Sequence, residues 1–389
     1  MNLEALKKSW TTIDSYEANP IDKAKAKGLM SGYHYRWHDA GYTTLTTEEQ
    51  FKLPIVNPDT CRPSKTFEQA GVYDGIIARD NQHFLLEHKT TSDQIHGDST
   101  YWNRLDIDSQ VSMYVLSHWQ RGIKLSGTVY DVIRKPNIKP KTVPRTNKTG
   151  EIKLGTMREV DDKHQYYGWA ISDSEYARLA SDEFRETPWM FTARLAQDCC
   201  TRPEWYFRRK MIPRLDHEIV EWAYELWHVS QAIRDSQRTG RNFRNSAACM
   251  SYGRPCAYLG ICSGHDEPDS DRWENVDKVH AELDTEDDGR NLLTNSRIST
   301  YQTCRRKHYY RYELGIRKQN QEDSEALHFG SLMHEALRAW FDHFKEIPDG
   351  NGESTDSFAD NGDISPVQRS QQREEPTTAT DSSWWGGSW

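Results

Sequence analysis

The sequence lacks any run of 18 apolar residues, and its start, Met1-Asn2-Leu3-Glu4, lacks the charged-then-apolar pattern of a secretory leader. Neither a membrane span nor export is expected, and a soluble, cytoplasmic setting is. Cysteine is sparse and odd in number, seven in 389 residues, which argues against a disulfide scaffold and leaves metal ligation or free thiols. Positive charge is also short: the formal balance is −9, at first sight unfavourable for a polyanionic partner. The charge is unevenly spread, however. Residues 265–290 hold 11 acidic against 3 basic side chains and residues 349–389 hold 8 against 2, which leaves +5 for the remainder. Residues 134–158 contain 8 basic side chains and the single acid Glu151, and Arg305, Arg306, Lys307, Arg311, Arg317 and Lys318 form a second basic run. A mildly basic folded part with acidic segments outside it is compatible with a polyanionic substrate; a solvated loop is the plain alternative for either run.

Hydrophobic periodicity predicts helices over 20–38, 106–119 (Ile107, Val111, Tyr114 and Val115 on one stripe), 173–197, 215–237, 299–312 and 326–344. Strands are expected over 49–56, 71–79, 83–90, 124–133 and 204–212, the second and third joined by an Asp80-Asn81 turn. The Pro- and Lys-rich stretch 135–150 reads as an exposed loop, and no internal repeat is present. The expected class is α/β, a small mixed β-sheet flanked by helices. The expected organisation is a core over 1–262, an acidic linker over 263–295, a helical segment over 296–345 that folds back to complete the core, and a disordered acidic tail over 346–389.

The hairpin carries the most chemistry. If Asp80-Asn81 is a two-residue turn, cross-strand partners have numbers that sum to 161, so Asp74 and Glu87 oppose each other on one face with Val72, Ile76, Ala78, Leu85 and Lys89. Two opposed carboxylates among apolar neighbours repel each other and lose hydration, and a divalent cation between them removes both costs. Lys89 points to the same side, where it can hold a water or phosphate oxygen, or act as a base if its pKa is depressed. A surface Glu–Lys pair is the plain alternative. On the following helix, Gln110 and Tyr114 at i and i+4 share a face.

Asp74-x12-Glu87-His88-Lys89 on consecutive strands, followed by a helix, resembles the PD-(D/E)XK nuclease superfamily, and Gln110-x-x-x-Tyr114 is similar to the motif of its RecB-like branch. The runs Glu87-His-Lys-Thr-Thr, Tyr101-Trp102-Asn-Arg-Leu105 and Asp106-Ile-Asp-Ser-Gln110 are similar to phage-encoded nucleases of that branch, with Tyr73 standing where Pro often precedes the Asp. Cys249-x6-Cys256-x5-Cys262 together with Cys304 resembles the four-cysteine set of iron–sulfur nucleases in this group; by spacing alone zinc or inert thiols remain open. Phe329-Gly330-Ser-Leu-Met-His334 resembles the helix that carries the group's metal-ligating His, with His34 as a rival assigned to packing. In relatives the Cys304 and His334 helices precede the Asp, Glu-x-Lys and Gln-x-x-x-Tyr motifs, and here they follow them. The resemblance thus covers most of 1–345 in circularly permuted order.

The resemblance implies a restriction-endonuclease-like core, a DNA substrate, Mg²⁺ or Mn²⁺ held by Asp74, Glu87, His334 and the His88 backbone, and catalytic roles for Lys89, Gln110 and Tyr114. It further implies a [4Fe–4S] cluster on Cys249, Cys256, Cys262 and Cys304, exonuclease-like action, a host-cytoplasmic site if the gene is phage-borne, and a helicase or recombinase as a conceivable partner. Two competitors stand beside it: a DNA-binding recombination subunit that has lost cleavage, and a zinc-stabilised interaction protein.

Overall fold

Two consecutive left-handed residues, Asp80 (φ 52°) and Asn81 (φ 60°), close the hairpin between β2 (Pro63–Arg79) and β3 (Gln82–Thr91). This is the type I′ geometry that suits the twist of paired strands and that Asp and Asn tolerate. The observed register, Gly75↔Leu86 through Arg79↔Gln82, has the expected sum of 161. The structure is a computed structural model and describes residues 3–142, 157–160, 163–179, 185–251, 253–284, 289, 291–319 and 325–345. Half of the expected 135–150 loop (143–150) and all of the 346–389 tail lie outside the described residues.

The hairpin is the middle of a six-stranded mixed sheet. β1 (Thr43–Val56) pairs antiparallel with β2, β4 (Gly127–Arg134) runs parallel to β3, and β5 (Phe207–Ile212) is antiparallel to β4. A two-residue β6 (Leu292–Leu293) adds to β2 in parallel. The sheet is neither closed nor curled, so the α/β class holds, and each of its faces is covered by helices.

Four helices cover one face: α1 (Glu4–Ser15), α2 (Pro20–Trp37), α4 (Pro188–Thr201) and α7 (Glu325–Phe341). Their apolar residues, among them Leu29, Met30, Leu195, Leu332, Met333 and Trp340, form one buried cluster with Ile77, Phe84 and Leu86 of the hairpin. Asn19 and Thr187 cap α2 and α4 with their side chains, and each cap is followed by Pro at the first helical position. A Cβ built on Gly28 lies 2.9 Å from Leu195 atoms, so a larger residue there pushes α2 and α4 apart. The opposite face is covered by α3 (Ser109–Gln120), α5 (Asp216–Thr239) and α6 (Asn295–Thr303), whose Val111, Met113, Trp222, Leu226 and Ile298 pack with Phe51, Tyr73, Ile76 and Leu85. Among the described residues no helix is long and apolar enough to cross a membrane.

Several boundaries differ from expectation for local reasons. The 173–197 helix is two, Asp173–Leu179 and α4, because the residue before Pro188 is driven out of the helical region. The 299–312 helix breaks at Cys304, which is extended (φ −162°, ψ 111°), and resumes as Arg305–His308 and a π-helical turn, Tyr309–Glu313. Ile107 is 84% exposed and precedes α3, whose cap is Asp108. The 263–295 stretch is not a bare linker. Trp273–Asn275 pairs with Ile316–Lys318, His280 and Leu283 are buried, and β6 joins the main sheet. Its acidic composition hid the few apolar residues that anchor it.

Candidate active site

Asp74 sits where β1, β2, β3 and α7 meet. Pairing of β2 with β3 stops at Gly75↔Leu86, and the Asp74 carboxylate accepts the free His88 backbone N–H (2.6 Å). Its other oxygen lies 3.6 Å from Nδ1 of His334 on α7. Glu48 of β1 completes the group: one ligand atom each from Glu48, Asp74 and His334 lies within 4.8 Å of the other two. Two carboxylates and an imidazole suit Mg²⁺ or Mn²⁺. Burial, then the Asp74 charge, pushes the Glu48 carboxyl up to about 7, while burial lowers His334 against the pull of Asp74.

Glu48 was not legible in the sequence. The expected strand began at residue 49, one position too late, and nothing in the pattern marks Glu48 as special. The backbone does: Glu48 is left-handed (φ 50°) between the pairs Thr47↔Gly75 and Glu49↔Tyr73, at the register position opposite Asp74. Non-glycine residues in that region are uncommon and concentrate where a side chain must be aimed.

The second half of the site lies on the α3 side. Glu87 is 1% exposed. Its Oε1 accepts from the Lys89 ammonium, which also donates to Gln110 Oε1 (2.8 Å), and Gln110 Nε2 donates to the Tyr114 hydroxyl (2.9 Å). Asp108 caps α3 by accepting from the Gln110 backbone (2.9 Å), which sets the helix start that presents this chain of contacts. Asp74 and Glu87 therefore do not face each other squarely as expected: Asp74 turns to His88 N–H and α7, Glu87 to Lys89 and α3. They still interact, since Glu87 is pushed up to about 7 by burial, with Lys89 opposing and Asp74 adding. Glu87 Oε2 is buried without a hydrogen-bond partner, an expensive state that a cation would relieve. Lys89 is not depressed. Burial lowers its pKa, but the charge and hydrogen bond of Glu87 outweigh this and raise it, so the ammonium keeps its proton.

Behind the site, the His88 ring lies 3.3 Å from buried Asp131 of β4, which also accepts from the Tyr33 hydroxyl and pairs with Arg209 at 3.2 Å. Burial raises Asp131, yet Arg209 and His88 hold it down at about 2. This buried network fixes β3 from below, with His88 Nδ1, Asp131 Oδ1 and Arg209 Nε held by charge proximity and not by hydrogen bonds. His34 has the packing role assigned to it, its Nδ1 accepting from Trp340 Nε1 (3.1 Å) in the core.

Cys249, Cys256, Cys262 and Cys304 line one small cavity with Tyr258, Lys307 and Tyr310. All are free thiols, and no three of them come within 4.8 Å of one another among the described residues. Burial, opposed by Arg306 and reinforced by the other three thiols, raises Cys262. Cys61, Cys199 and Cys200 lie apart from this set; Cys199 is buried in the α2–α4 core.

The raised carboxyls have a consequence for pH. With folded values near 7 against an ordinary 4.5, Glu48 and Glu87 favour folding at acid pH, and that contribution is lost as the pH rises through 7. A divalent cation binds their ionised forms and reverses the trend, so Mn²⁺ should raise the melting temperature more at about pH 8 than at about pH 5.5. Thermal melts at both pH values test this; an equal or larger shift at the lower pH would refute it.

Comparison with known proteins adds one finding. A family model described as PD-(D/E)XK nuclease superfamily matches residues 293–387. No curated protein and no solved structure matches the chain. The matched stretch carries Cys304 and His334, and none of Asp74, Glu87, Lys89, Gln110 or Tyr114. Members of this superfamily are typically divalent-metal-dependent nucleases, and the similarity of this chain to them lies in residues 293–387, about a quarter of its length.

Proposed function

We propose that this protein is a Mg²⁺- or Mn²⁺-dependent deoxyribonuclease of the RecB-like type that degrades DNA from ends. The observation that carries the reading is the convergence of Glu48, Asp74 and His334 from three elements, beside a buried Glu87–Lys89–Gln110–Tyr114 chain. Asp74, Glu87, His334 and the His88 carbonyl are the proposed ligands, with Glu48 added by its position. When bound, the cation supplies Lewis acidity that polarises the phosphodiester and acidifies water. Lys89, kept as an ammonium, orients the attacking water or a phosphate oxygen rather than taking a proton. Gln110 and Tyr114, one turn apart on α3, hold the strand by hydrogen bonds.

The reading predicts Mn²⁺- or Mg²⁺-dependent loss of linear DNA, with circular DNA spared. Asp74→Ala, Glu87→Ala and Lys89→Ala should each lower the rate by about 100-fold or more, because each removes several kcal/mol of transition-state stabilisation. Full cleavage by folded Asp74→Ala would overturn it.

The four cysteines are proposed to hold a [4Fe–4S] cluster of structural role. The reading rests on the resemblance of their spacing; the four line one cavity with Lys307, and no three of the sulfurs lie within 4.8 Å of one another among the described residues. Anaerobically purified protein should contain iron and a broad visible absorption that single Cys→Ala substitutions bleach; stoichiometric zinc without iron would contradict the cluster.

A further inference from the structure

A groove of about 570 Å³ lies between α5, α6 and the loop that follows α5, lined in part by Cys304 and by none of Glu48, Asp74, Glu87 or His334. Its floor includes Val229 and Tyr301, its rim carries Arg244 and Arg305, and no acidic side chain is among the described residues that line it. Phe243 stands in its wall with 64% of its surface exposed. The exposure is not the result of a loose loop. Arg306 donates to the carbonyls of Asn242 (Nε, 2.7 Å) and Phe243 (N, 3.1 Å), and Asn245 donates to the Thr303 carbonyl (2.9 Å). The backbone is tied down on both sides of Phe243 while the ring is offered to solvent.

We propose that this groove binds an unpaired nucleic-acid strand, with a base stacked on Phe243 and phosphates held by Arg244 and Arg305. An aromatic face beside two guanidinium groups is the combination that single strands use: every base has a π-face to stack, and every linkage a charge to neutralise. A base inside a duplex has no free face, which selects the single strand. The inference rests on the nuclease reading for the polymer concerned. It also has a geometric link to that site. Asn295, at the start of α6, accepts from Ser109 (2.8 Å), next to Gln110, whereas Thr303 at its far end lines the groove. Nine helical residues span roughly 13 Å, a distance that a few nucleotides bridge at roughly 3.4 Å or more each. A strand engaged at Gln110 can thus continue along α6 to Phe243.

The test uses full-length protein and a labelled 16-nucleotide thymidylate strand in Ca²⁺ or EDTA, with affinity read by anisotropy over a salt series. Phe243→Ala should weaken binding by about tenfold, and Phe243→Trp, which keeps a stacking face, should bind as the parent does. Arg305→Gln should lower the slope of log affinity against log salt by about 0.7, the value for one lost phosphate contact on a single strand. Parental melting temperatures in Mn²⁺ identify the folded variants. Unchanged affinity in folded Phe243→Ala overturns the proposal and leaves the groove to a protein partner. Failure of the nuclease reading shows separately, as absence of divalent-dependent hydrolysis by the parent protein.

Discussion

The docking of α7 on the sheet is the interaction on which the site depends. Phe329, Leu332, Met333, Ala336, Leu337, Trp340 and Phe341 are all buried against α1, α2 and the hairpin. Each large apolar side chain so buried contributes about 1.5–3 kcal/mol. The raised Glu87 carboxyl has a different origin, its own burial with Asp74 adding, on the α3 side of the sheet. His334 is carried to Asp74 by its apolar neighbours Met333 and Leu337, and the Asp74–His334 contact is a consequence of the packing, not its cause.

The remaining side chains are positioned in the same way, by groups behind them. Arg209 neutralises Asp131 and Tyr33 donates to it, Asp131 holds the His88 ring, and the His88 N–H fixes Asp74. On the other face the Asp108 cap sets the first turn of α3, and that turn delivers Gln110 to Lys89. A buried network of this kind leaves little room for movement, so the carboxylates stay close although they repel.

What could be read in the sequence was what local rules govern. Asp80-Asn81 specifies its turn, the turn specifies the register, and the spacing of Gln110 and Tyr114 specifies a shared helical face. The bend of Asp74 toward α7 could not be read, because it follows from the end of strand pairing at Gly75. Glu48 was hidden for a related reason: its partner is set by the register of β1 on β2, across a connection whose Cys61 is itself left-handed (φ 54°), and that register shifts between Thr44 and Thr46. The burial of Trp273, Leu283 and β6 escaped notice because isolated apolar residues in an acidic stretch carry no period. The break at Cys304 left no mark either, since Ser299–Tyr312 contains neither Gly nor Pro.

The central claim is that a divalent cation is held where β1, β2 and α7 converge. Anomalous diffraction from crystals grown with Mn²⁺ tests it most directly. The account predicts a strong peak within bonding distance of Asp74 and His334, with Glu48 or Glu87 as a further ligand. A Mn²⁺ peak elsewhere, with Asp74 and His334 uncoordinated, would contradict it.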